Sequence, residues 1–316
     1  MDWAGISVRF GLYLDLTLLF GLPLFSLHAF RRDEPSSAHV SQAASRVLSH
    51  YAAVTAAAAA IGIILSLAGI VVMARSMTGV AEYSALPRDV FTMIVTGTDA
   101  GMVWAVRMVA LALCLMAGLS GRTHPRLRSI WQTTTAAVAL ATLAWSGHGA
   151  MDDDGLRRYL HLAADIGHLL AAGVWVGALV GFVLLAWTKP SASLGRVALL
   201  SRAADGFAKT GTVVVVTLML TGTLNYWLIV GPELPAVSWS SYGGQLLAKL
   251  ALFGAMLGLA AANRYRLSPR LARAVLTGDY AQAVSAFRTS LMIETTLAIV
   301  ILALVASLGV LSPTAA

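Results

Sequence analysis

The sequence predicts an all-α, polytopic transmembrane bundle of about eight spans, with both termini on the periplasmic side. Three observations predict it. Of 316 residues, 58% are hydrophobic and 12% charged, with a mean hydropathy of +0.77; a soluble domain carries about 25% charged residues. Eight stretches approach the roughly 20 apolar residues that a helix needs to cross the hydrocarbon core. The basic residues gather in alternate connections between them.

The first stretch, roughly 6–29, carries Asp15 and lacks a basic leader, so it reads as a retained span and not as a cleaved signal. Arg31-Arg32-Asp33-Glu34-Pro35 ends it, and the second runs over roughly 47–73. The stretch 74–100, broken by Pro87-Arg88-Asp89, is the longest loop on the side poor in basic residues and is expected to lie partly along the membrane surface. The third and fourth spans, roughly 101–119 and 130–147, are divided by Thr123-His124-Pro125. The fifth and sixth cover roughly 159–187 and 207–230, the latter stopped by Gly231-Pro232-Glu233-Leu234-Pro235. The seventh and eighth cover roughly 245–262 and 289–310. No aqueous domain fits between them, so 1–316 reads as a single integral membrane domain.

Orientation follows from the basic residues. The odd-numbered connections hold Arg31, Arg32, Arg46, Arg122, Arg126, Arg128, Lys189, Arg196, Arg202, Lys209, Arg264, Arg266, Arg270, Arg273 and Arg288. The even-numbered ones hold Arg75, Arg88, Arg157 and Arg158. Basic loops stay in the cytoplasm, which places the loop His148–Asp154 outside. The net charge of +7 is thereby a topology signal and not a nucleic-acid footprint. A single cysteine excludes an internal disulfide, a Cys-rich zinc site and an iron–sulfur cluster.

In the fifth span His161, Asp165, His168, Ala172 and Trp175 recur at i, i+4, i+7, i+11 and i+14, one stripe of a helix. Gly173, Gly177 and Gly181 lie roughly opposite, a ridge that permits close helix approach. Gly254 and Gly258 repeat the ridge more weakly in the seventh span.

Metal-ligating side chains concentrate here. His148 ends the fourth span, and the short connection makes the fourth and fifth spans antiparallel neighbours. Three imidazoles, His148, His161 and His168, can converge near the outer face, with Asp165 as ligand or orienting partner. Met151 and Asp152-Asp153-Asp154 could deliver a cation to them. Imidazole suits zinc, copper, iron and nickel, and thioether favours the cuprous state. The competing reading is interfacial histidines bonded to headgroups above a solvated acidic turn.

Polar residues inside spans need partners. Asp15 and Arg107 are expected at similar depths as a structural ion pair, or else on a translocation pathway. Glu294, about two turns in from the cytoplasmic end of the last span, could pass a cation or proton inward or bond to a neighbouring helix. Lys249 is expected to snorkel to the interface. His28 and His50 could face each other and hold haem axially, though ordinary interfacial histidines fit the same positions. Met73, Met77, Met93, Met102 and Met108 gather around the third span and read mainly as apolar filler.

The chain resembles the CopD family of bacterial copper-resistance and copper-uptake inner-membrane proteins. The resemblance rests on Trp145-Ser-Gly-His148, Asp165-Ile-Gly-His168 and Trp175-Val-Gly177, then Thr221-Gly222-Thr223, Leu247-Ala-Lys249, Asn263-Arg264-Tyr265-Arg266-Leu267, Arg288 to Glu294, and Pro313. It is strongest over 145–313; the first four spans match mainly in hydropathy and number. The resemblance implies copper handling at the inner membrane, with a separate CopC-type periplasmic copper-binding protein as partner. It points to His148 and His168 as copper ligands, with Asp165 and Glu294 secondary; His161 rests on spacing. One departure is the modest Met content: no dense Met-x-x-x-Met span is present.

The sequence therefore supports a multi-pass inner-membrane protein that binds copper at an outer His cluster and moves it across the membrane, import being favoured by the outward, acid-flanked ligands. No Walker-type loop or Asp-Lys-Thr-Gly-like phosphorylation loop occurs, so neither ATP-driven pumping nor an enzyme is expected. A haem-binding redox protein, whether an electron carrier or a HemJ-like porphyrin oxidase, is the alternative of a different class. A copper sensor or scaffold that binds without transport is the third reading.

Overall fold

In lipid every backbone N–H and C=O must be satisfied within its own segment, so apolar runs of this length become helices. The structure, a computed structural model, describes residues 2–30, 38–80, 82–120, 124–147, 155–187, 194–232, 238, 241–278 and 280–311. Its helices are α1 (Trp3–Ala29), α2 (Ala38–Thr78), α3 (Arg88–Gly97), α4 (Asp99–Leu119), α5 (Pro125–Ala141), α6 (Leu156–Ala186), α7 (Leu194–Ile229), α8 (Tyr242–Ala262), α9 (Ser268–Thr277) and α10 (Ala281–Leu308). Among the described residues there is no strand, as the all-α expectation required.

The helix ends follow local chemistry. Asp2, Thr98 and Ser241 side chains accept from the first-turn amides of Gly5, Gly101 and Gly244. Pro125 occupies the first turn of α5, where its missing N–H is harmless. Gly278, at φ +82°, closes α9 in the left-handed region.

Among the described residues seven helices are long and apolar enough to cross a membrane, against about eight expected. The difference lies at 130–147. There α5 is 17 residues long, and a 3₁₀ turn, Thr142–Ser146, continues it. At about 1.5 Å per α-helical residue it reaches only about 25 Å, short of the roughly 30 Å core. The 3₁₀ turn adds about 10 Å. The stretch 74–100 contains the short amphipathic α3, whose Val90 and Ile94 are buried against Ile70 and Ala74 of α2.

The bundle is organised around α1, which packs on α2, α5, α6, α7 and α10. Leu12, Leu16 and Leu19 join Ala59, Leu111 and Leu140 in one apolar core. One turn further along, Leu22 and Phe25 join Leu179, Phe182, Phe287 and Leu302 in the other. The glycine ridge of α6 makes the crossing with α1 possible. A methyl on Gly21 would overlap the Gly173 carbonyl and the Gly177 backbone, and one on Gly181 would overlap the Phe25 ring. The weaker ridge on α8 behaves differently: a methyl on Gly254 or Gly258 meets nothing within 4 Å.

Candidate functional site

Three elements position the polar face of α6. Gly155, at φ +144°, opens the helix in a conformation that a side chain would resist. Arg157 Nη2 donates to the Leu228 carbonyl (2.8 Å), tying the start of α6 to the end of α7. Gly147, at the close of the 3₁₀ turn, lies against the same face: a methyl there would come within 3.4 Å of Asp165 Oδ2.

The expected stripe is present on α6. His161 is 1% exposed, with Nε2 3.9 Å from Asp165 Oδ2 one turn along. Asp165 Oδ1 accepts a 2.7 Å hydrogen bond from Asn225 Nδ2 of α7. His168 Nδ1 lies 2.9 Å from Thr221 Oγ1, also on α7. The Thr221 hydroxyl donates its only proton to the Thr217 carbonyl (2.6 Å). Its oxygen is therefore the acceptor for His168 Nδ1–H, and the Nε2 lone pair is left for a ligand. Gly222 lets α7 approach the same ring, since a methyl there would touch His168 Cε1 at 3.5 Å.

Asp165 and His168 are thus oriented from α7, whose Thr217, Thr221 and Asn225 recur every fourth residue. That polar stripe was readable in the sequence, yet Asn225 drew no role there, and Thr221 entered only through a weak Thr-Gly element. Lys249 also departs from expectation. It is half-buried on α8, near enough to His168 and Asp165 for its charge to act on both.

His148, Met151 and Asp152, Asp153 and Asp154 lie outside the described residues. Among the described residues no three His, Cys, Asp or Glu side chains come together as a metal-holding group. The reason is axial: His161 and His168 are seven residues apart, about 10.5 Å along the helix. Asp165 stands between them. The described side chains follow one another along the helix and do not form one cage.

Glu294 occupies the far end of the stripe. It is 2% exposed, and its two carboxylate oxygens accept from Trp175 Nε1 (2.9 Å) and Asn263 Nδ2 (2.8 Å). Asn263 opens a π-helical turn, Asn263–Leu267, that joins α8 to α9. Trp175, read from the sequence only as a stripe member, therefore links α6 to α10.

Asp15 and Arg107 are both buried but form no ion pair. Asp15 Oδ2 faces Gly62, beside Leu111, where a methyl would stand 2.6 Å away. Arg107, one turn earlier on α4 than Leu111, has Tyr13 as its electrostatic neighbour. Tyr13 and Asp15, two residues apart, point about 160° away from each other around α1, and Leu111, beside Asp15, lies a full turn along α4 from Arg107. His28 and His50 do not share an enclosure. The His28 ring packs edge-on against Phe207 of α7 at 6.0 Å and lines a cavity of about 320 Å³, whereas His50 is exposed and does not line it. Met77, Met93 and Met102 are exposed, consistent with lipid-facing filler.

Known proteins align with much of the chain, one of them over nearly its full length. A family model described as the N-terminal domain of copper resistance protein D-like proteins matches residues 1–159, and one described as copper resistance protein D matches 201–308. Copper resistance protein D of Pseudomonas syringae pv. tomato is 44% identical over 99% of this chain and 97% of its own. Inner membrane protein YebZ of Escherichia coli (strain K12) is 29% identical over 68% of this chain and 70% of its own. Copper transport protein CutJ of Bacillus subtilis (strain 168) is 24% identical over 79% of this chain and 44% of its own. No solved structure matches the chain.

Proposed function

We propose, for a chain that belongs to the copper resistance protein D family, that it binds copper on the polar face of α6 and carries it across the inner membrane. The observation that carries this reading is the preparation of His168: Thr221 holds the Nδ1 proton, so Nε2 is presented as a ligand inside the bundle. An imidazole fixed in this way, with its other nitrogen bonded, is how metal-binding histidines are oriented. His161 and Asp165 form an earlier station, to which His148, the residue after Gly147 in the chain, is assigned from the sequence. Met151 adds a thioether in the adjoining loop.

On this reading copper arrives from the periplasm, handed over by a CopC-type protein, and enters at the His148, His161 and Asp165 end of the stripe. It moves inward past His168. Asp15 and Arg107 are buried polar residues of α1 and α4 that form no ion pair with each other, and Glu294 is a buried carboxylate beyond His168. The gradient of the metal or of a coupled ion supplies the driving force.

Metal analysis of the purified protein, with an absorption spectrum, tests the reading. Stoichiometric copper that falls in both His148→Ala and His168→Ala is the expected result. Copper binding unchanged in both variants overturns the site. A Soret band in place of copper overturns the metal and returns the haem reading. Uptake of labelled copper by proteoliposomes separates a transporter from a scaffold.

A further inference from the structure

Beyond His168 the character of the polar groups changes. A cavity of about 500 Å³ lies between α6, α7, α8, α10 and the π-helical turn. It runs from the exposed Asp205 and Arg264 to the buried Glu294. No histidine, cysteine or methionine lines it. Its inner wall offers oxygen: the Glu294 carboxylate and the side-chain carbonyl of Asn263.

Two features make this end of the cavity more than a satisfied polar contact. Glu294 receives two N–H donors but has no cationic side chain within 4.0 Å among the described residues. A carboxylate in hydrocarbon is costly without a counter-charge. Beside it, Asn263 Oδ1 is buried and accepts no hydrogen bond, because the amide's nitrogen is turned toward Glu294. A buried carbonyl with no donor is unusual. A carbonyl that accepts no hydrogen bond beside a carboxylate without a counter-charge, at the wall of a cavity that reaches the surface, is a donor set suited to a cation.

The other titratable groups lining the cavity are Asp205 of α7 and Arg264 and Tyr265 of the π-helical turn. Arg264 is committed to Thr212 Oγ1 (2.6 Å), and Asp205 accepts from Ser268 Oγ (2.7 Å). Neither neutralises Glu294.

Donor chemistry selects the ion. Thiolate and thioether suit cuprous copper and imidazole suits copper generally, whereas carboxylate and carbonyl oxygen suit hard cations. We propose that the Glu294–Asn263 end of this cavity binds an oxygen-preferring monovalent cation, a proton or Na⁺, and not copper. Trp175 lies seven residues beyond His168, about 10.5 Å along α6, and bonds directly to Glu294. Resting on the transport reading above, the ion at Glu294 is the one that couples to copper movement through this shared helix. The site itself stands without that reading.

Trp175 is a built-in reporter, because its indole N–H bonds to the group that takes the ion. The test titrates emission of the purified, copper-free protein with Na⁺ at fixed pH, and separately with pH in a Na⁺-free choline buffer. A saturable change in either arm, absent from Trp175→Phe and from Glu294→Gln, is expected. Response to Na⁺ identifies the alkali ion, and response to pH alone identifies the proton. Asn263→Ala, which keeps the carboxylate, should weaken the Na⁺ response at least several-fold if Na⁺ is the ligand.

The absence, in both arms, of any change that wild-type protein shows and Trp175→Phe lacks overturns the proposal, whatever Glu294→Gln and Asn263→Ala do. So does a cuprous titration that saturates the same signal stoichiometrically in His148→Ala/His168→Ala protein. Copper is absent from the main titrations, so failure of the copper site leaves their outcome unaffected, and the two readings fail separately.

Discussion

Replacing Asn225 with alanine removes the 2.7 Å hydrogen bond that its Nδ2 donates to Asp165 Oδ1. The acceptor is a carboxylate only 19% exposed, standing 3.9 Å from His161. A hydrogen bond to a charged group contributes about 1.5–3 kcal/mol. In the variant the carboxylate loses a donor that holds its Oδ1, and with it part of the orientation that presents Oδ2 toward His161 and Gly147. At about 1.4 kcal/mol per tenfold, the affinity for copper at this station should fall about 10- to 100-fold. Loss of a group that orients a metal ligand has consequences of the same size. Competition of the reconstituted protein against a chromophoric cuprous chelator measures the dissociation constant directly. Stoichiometry should hold, because His168 and its Thr221 partner are untouched. A dissociation constant unchanged from wild type, in protein that elutes and unfolds as wild type does, would refute the role assigned to Asp165.

Thr221→Val keeps the side-chain volume but removes the acceptor for His168 Nδ1–H. Copper affinity should drop by about 10- to 100-fold, and nitrogen NMR of labelled histidine should show the ring losing its single tautomer; a persistent Nδ1–H tautomer would refute the orienting role. Gly177→Ala places a methyl into the α1 backbone at Gly21, and overpacking of this kind costs about 1–3 kcal/mol. Its thermal midpoint in detergent should fall, whereas Gly254→Ala, with nothing within 4 Å, should leave the midpoint unchanged. Equal midpoints for the two variants would show that the α1–α6 crossing does not depend on the glycine ridge.

Much of the bundle was legible because hydropathy reports on a segment's environment directly. The spans expected at 6–29 and 101–119 differ by at most three residues at either end from α1 and α4. The span expected at 207–230 begins thirteen residues earlier, since α7 continues through the basic stretch from Leu194. Basic residues that read as loop in a topology count can still be helical beyond the membrane. The stretch at 130–147 changes character along its length: the α-helix stops at Ala141 and a 3₁₀ turn continues it to Ser146, together about 35 Å, enough for the span that its composition suits.

The candidate site was legible in half. Periodicity alone put His161, Asp165, His168 and Trp175 on one face of one helix, because the 3.6-residue repeat is a local property. The partners of that face were not legible in the same way. Asn225 and Thr221 turned out to orient Asp165 and His168, and Asn263 to share Glu294 with Trp175. Asp15 and Arg107, paired by depth in the sequence, form no ion pair. The sequence by itself determined what each segment is and which of its faces is polar, since those depend only on composition and spacing along one chain. Which polar faces meet was decided by tertiary structure, because a single residue of helix rotation turns a side chain by about 100°, and only packing against neighbouring helices sets that angle.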